Sequence, residues 1–135
     1  MRTLALLLLA GCASIAQAEG LNLDPWTTGD TVRQGALTAL LVADWAQTRH
    51  MATHSCPESN PTCAVPFGEG GGAHAFIGSH PSVGQVNNYF AASVIGHAAI
   101  SYMLPRGWRE GWQYVWIGIE AQTVRTNYVG IKYGF

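Results

Sequence analysis

Apolar residues recur at three- and four-residue steps in three stretches of the chain, and each stretch reads as a helix. Thr27-Thr28-Gly29-Asp30 supplies capping residues ahead of the first, after an extended lead-in, Leu21-Asn22-Leu23-Asp24-Pro25-Trp26. In that helix Leu37, Leu40, Leu41, Asp44, Trp45 and Thr48 share a face that is apolar apart from Asp44 and Thr48, and its end is predicted near residues 50–53. The second covers residues 86–104 and stops at Pro105. It carries Ser93, His97 and Ser101 on one stripe and Ala92, Gly96 and Ala99 on another, the latter small enough for close helix packing. The third covers residues 108–127, where Trp112, Val115, Trp116, Ile119, Thr123 and Val124 keep helical spacing. Within it Gln113, Glu120 and Asn127 form a polar seam at seven-residue steps.

Periodicity lapses over residues 54–85, where turn formers such as Gly68-Glu69-Gly70-Gly71-Gly72 and His80-Pro81-Ser82 predict one long loop. The glycine run lacks the Gly-Lys-Ser/Thr ending of a phosphate-binding loop and reads as a spacer. The last residues, Val129-Gly130-Ile131-Lys132-Tyr133-Gly134-Phe135, alternate and end in phenylalanine, as the closing strands of outer-membrane barrels do. Because the segments before Asn127 keep helical periods, the expected fold is all-α. It is a small bundle of about three apolar helices with a long disulfide-stapled loop and an extended C-terminal tail; a minimal outer-membrane β-barrel is the alternative.

The start of the chain changes the setting. Met1-Arg2 is cationic, and Leu4-Ala5-Leu6-Leu7-Leu8-Leu9-Ala10 is too short to span a bilayer but suits a secretory signal peptide. Leu9-Ala10-Gly11-Cys12 matches a bacterial lipobox, which predicts lipidation of Cys12 and anchoring on the periplasmic side of the envelope. Ala16-Gln17-Ala18 is an ordinary small-x-small cleavage site, so release from Glu19 is the other reading. Residues 1–18 are thus read as signal, and residues 19–135 as one helical domain.

The formal net charge is −1 and no basic stretch occurs, which disfavours nucleic acid as a partner. Charged residues are only 11% of the chain, against about a quarter in ordinary soluble domains. A surface so poor in charge points to a membrane, a homo-oligomer or an envelope protein as partner. Of three cysteines, Cys12 is lipidated or removed, leaving Cys56 and Cys63, which bracket a proline-rich loop and are expected to pair in an oxidising periplasm. Such a disulfide does not persist in the cytoplasm, which argues against the first helix crossing the inner membrane. The second and third helices can form a re-inserted hairpin with Arg106 and Arg109 on the positive side, but the uncharged part of the third before Glu120 is too short to span.

In Asp44-Trp45-Ala46-Gln47-Thr48-Arg49, Gly78-Ser79-His80-Pro81-Ser82 with Asn88-Tyr89-Phe90, and Glu120 with Asn127 and Gly130, the chain resembles small, uncharacterised signal-bearing proteins of proteobacteria and their phages. The resemblance covers about residues 44–135. It implies an envelope setting and no activity or catalytic residue.

Asp44, His97 and Glu120 occur once in each helix on otherwise largely uncharged faces. One histidine and two carboxylates suit a divalent metal such as Zn or Fe, or a proton-transfer site, and give the alternative of a membrane-associated metal-dependent hydrolase. The blander expectation is a buried polar cluster satisfied by Thr48, Ser101 and Thr123. A second group of potential ligands is His50, His54, Cys56, Cys63, His74 and His80, although His50-Met51-Ala52-Thr53-His54 lacks the glutamate of a zinc-protease helix. Ser79 and Ser82 flank His80 without a nucleophile turn, so no catalytic residue is assigned and no cofactor is required. The favoured reading is an exported, lipid-anchored envelope protein that works through contacts.

Overall fold

The structure, a computed structural model, describes residues 24–54, 74–78 and 80–133. Four helices follow in order: α1 Thr28–His54, the short α2 His74–Ile77, α3 Val83–Met103 and α4 Arg106–Tyr133. The three long helices form a bundle in which α1 packs most extensively on α4 and then on α3, whereas α3 and α4 touch only sparsely.

Local chemistry explains the helix ends. Before α1, the Thr27 backbone N–H donates to Asp30 Oδ2 at 2.9 Å and the Asp30 N–H donates to Thr27 Oγ1 at 3.1 Å, a reciprocal capping arrangement. Ser82 and Gln85 form the same kind of box at the start of α3. Leu104 closes α3 by donating its N–H to the Ile100 carbonyl, and Pro105 opens the first turn of α4 by accepting from the Arg109 N–H at 2.8 Å. Gly78, with φ +79°, follows α2 in the left-handed region that favours glycine.

The apolar core is small: Leu37 and Leu41 of α1 meet Ile77, Val86 and Phe90, with Trp45, Tyr89, Val94, Trp116 and Ile117 packed around them. Along α1 the buried positions are Asp30, Leu37, Leu41, Asp44, Thr48 and Met51, a three- and four-residue rhythm that places one continuous seam against its neighbours. The seam of α4 differs in kind. Its fully buried positions are Arg109 and Gln113, with Glu120 nearly so, while Trp108, Val115 and Ile119 are exposed. The helix turns its polar side inward and much of its apolar side outward.

Three expectations are corrected here. The C-terminal tail is not extended, because α4 continues to Tyr133. Extending an existing helix adds a hydrogen bond for each residue fixed, and two-residue alternation over a few positions does not outweigh this without a partner strand. For the same reason the barrel reading falls: the described residues contain no strand, and the segment proposed to close a barrel is helical through Tyr133. The bundle contains no disulfide among its described residues, and the predicted Cys56–Cys63 staple lies outside them. Cys12 and the segment read as a signal lie outside them as well. The predicted long loop is interrupted by α2 and by the capping box at Ser82. No described helix is long and apolar enough to cross a membrane.

Candidate functional site

The buried polar residues form two groups between α1 and α4. At one end, Arg109 joins three parts of the chain. Its Nε donates to the Ser101 carbonyl at 2.8 Å, one terminal nitrogen donates to the Leu104 carbonyl at 3.1 Å and the Asp24 carbonyl at 2.9 Å, and the other meets Asp30 Oδ2 at 3.2 Å. Its guanidinium also lies over the Trp26 ring, 5.0 Å from the centroid. Both Asp30 and Arg109 have 0% exposure.

Asp30 receives further bonds from the Thr27 hydroxyl at 2.7 Å and from Arg33 at 2.7 Å. Burial by itself raises the Asp30 pKa. The hydrogen bonds from Thr27, Arg109 and Arg33 outweigh that effect and hold the carboxyl well below the usual carboxylate range. Gln113 extends the network, its amide nitrogen donating to the Asp30 carbonyl and its oxygen accepting from Arg33 Nε at 3.0 Å. This is a latch holding the chain entry, the α3 terminus and α4 to α1. Every strong donor in it is engaged by protein, which suits structure better than chemistry.

The second group contains two of the three residues singled out from sequence. Asp44 accepts from Asn127 Nδ2 at 2.6 Å and from the Thr48 hydroxyl at 3.4 Å. Across the seam lies Glu120, whose Oε2 is buried without a hydrogen-bond partner among the described residues. Burial raises the Glu120 carboxyl to about 7, and the Asp44 carboxylate pushes it the same way. Glu120 is therefore partly protonated near pH 7, with the Asp44 carboxylate close enough to act on it.

His97 is engaged differently. Its ring packs against Trp116 at 4.5 Å and Trp112 at 5.5 Å, and burial lowers its pKa, which keeps the imidazole neutral at pH 7. Among the described residues no three His, Cys, Asp or Glu side chains gather closely enough to hold a metal ion. Asp44, His97 and Glu120 thus do not assemble as a metal centre. Of the loop candidates, His50 and His54 stack one turn apart at 4.1 Å on the last turn of α1, His80 is exposed, and the cysteines and the His74 side chain fall outside what is described.

Sequence reasoning missed Arg109, read only as a charge beside Arg106, and the ion-pairing role of Asp30, read only as a cap. A signal for Arg109 was present: it stands four residues before Gln113 and continues the seam through Glu120 and Asn127.

On the outside of α4 lies an open groove of about 860 Å³, lined by Leu104, Gly107, Trp108, Gly111, Trp112, Val115 and Trp116. No charged side chain lines it. Trp108 is 76% exposed and Val115 60%. A smaller apolar groove of about 440 Å³ runs between α1 and α3 beside Trp45, whose indole N–H donates to Asn87 Oδ1 at 2.8 Å. Comparison with known proteins finds no match, whether to a family model, to a curated protein or to a solved structure.

Proposed function

We propose that this chain is an exported, lipid-anchored protein of the bacterial envelope that acts by contact with a membrane or a protein partner and not by catalysis. The observation that carries the reading is the orientation of α4. Arg109, Gln113 and Asn127 are used in bonds that hold the bundle, and its tryptophan-rich side is left outward without a charge along the groove. Such a surface suits an apolar environment or a partner better than water. The short apolar start and the Cys12 lipobox supply the route to the envelope.

The test is the intact mass of the mature protein extracted from bacterial membranes, beside a Cys12→Ser variant. A diacyl or triacyl addition at Cys12, lost in the variant together with membrane retention, is the expected result. A mature chain beginning at Glu19 and free in the periplasm contradicts the anchor.

A further inference from the structure

The geometry points to the interfacial layer of a phospholipid bilayer as the occupant of the groove on α4, an inference that rests on the anchored reading above. Where the chain enters is the first reason. Asp24 Oδ2 accepts from the Arg106 backbone N–H at 2.8 Å, so the segment leading from Cys12 arrives at the start of α4, beside Trp108. From Cys12 to Asp24 the chain can reach at most about 40 Å, so a lipid on Cys12 tethers the bundle to the membrane by this end.

The second reason is how the apolar surface is distributed. Trp108, Trp112, Val115 and Ile119 fall on one side of α4 at helical spacing, a stripe about 16 Å long. Farther along, the same side carries Gln122 and Thr126, which hydrogen-bond to each other at 3.3 Å. Beyond these two, that side carries only Val129 as an exposed apolar residue among the described residues, so the continuous stripe lies in the half of the helix nearest the chain entry. It is too short to cross a hydrocarbon core of about 30 Å. It matches a helix face that sinks about 5–10 Å into the headgroup boundary, where tryptophan is favoured.

The third reason is that the face cannot turn inward. Rotating α4 to bury Trp108 would carry Arg109 away from Asp30 and from the carbonyls of Ser101 and Leu104. The latch thus fixes the tryptophans outward.

The test uses the full chain extracted from membranes and placed in vesicles of phosphatidylethanolamine and phosphatidylglycerol brominated in their acyl chains. Tryptophan emission is expected to be quenched. Trp108→Phe should lower the quenched emission, whereas Trp45→Phe, on the other groove, should leave it unchanged; circular dichroism confirms that each variant is folded. Intact mass on the same sample separates the two readings. An acylated chain whose Trp108 is not quenched overturns this docking face and leaves the anchor standing. A chain without acyl groups that is still quenched through Trp108 overturns the anchor and supports the face. A stable dimer that shields Trp108 from the bromines assigns the groove to a second copy and overturns the inference.

Discussion

Arg109 and Asp30 show how a chain with few charges uses them. Burying either ion alone is costly, and the pair is tolerated because backbone carbonyls and Thr27 satisfy the remaining donors and acceptors. Arg109→Ala leaves the Asp30 carboxylate buried beside a cavity and should lower unfolding stability by about 3–5 kcal/mol in urea titration. Asp30→Leu combined with Arg109→Met should recover part of that loss, since neither fully buried ion remains and Arg33 keeps Gln113 and Glu110 as partners. Because the folded pKa of Asp30 is depressed, its contribution is present above its unfolded value of 3.8 and is lost as pH falls below it. Glu120 has the opposite sign. Its folded pKa is raised from 4.5 to about 7, so the protonated native form is favoured below 4.5 and stability declines as pH rises through 4.5 to 7. Glu120→Gln should flatten that decline and stabilise the protein by about 1–2 kcal/mol at pH 8, a figure reduced for solvent screening. Thermal unfolding of both proteins at pH 5 and pH 8 checks it, and a wild-type protein more stable at pH 8 relative to the variant contradicts the buried, raised carboxyl.

Among the elements, the three long helices were legible in the sequence because each repeats apolar residues at a helical period. Thr27 and Asp30 cap α1 as expected, and Pro105 separates α3 from α4. The polar seam of Gln113, Glu120 and Asn127 was legible too. Its partners were not, since Arg109 and Asp30 are far apart in sequence and spacing along one helix carries no information about a residue on another. His97 sits on a polar stripe with Ser93 and Ser101, yet it packs on tryptophans, because ring-to-ring contact depends on how α3 and α4 meet. The end of α4 was misread where Val129 and the residues after it alternate. Backbone chemical shifts of residues 129–133 should be helical, and Val129→Pro should remove helical shifts from that last turn; extended shifts in the unaltered chain contradict the helix. In the core, Leu37→Ala should cost about 2–5 kcal/mol, because Leu37 is fully buried where α1 meets Val86 and Phe90.

For the molecule as a whole, the bundle combines a polar interior seam with an apolar exterior stripe on the same helix. In water alone that arrangement is unfavourable, since Trp108, Val115 and Ile119 remain hydrated while Arg109, Gln113 and Glu120 are desolvated. The proposed membrane placement offsets this by seating the stripe in lipid at the end of the bundle where the chain enters. The measurement that tests this most directly is photolabelling of the intact protein in its own membranes by a phospholipid carrying a diazirine in its acyl chain, with labelled residues mapped by mass spectrometry. Labels are expected at Trp108, Val115 and Ile119 and are expected to be missing from Gln113 and Glu120. Labels confined to the α1–α3 groove around Trp45, or missing from α4 altogether, contradict the placement of this helix against lipid.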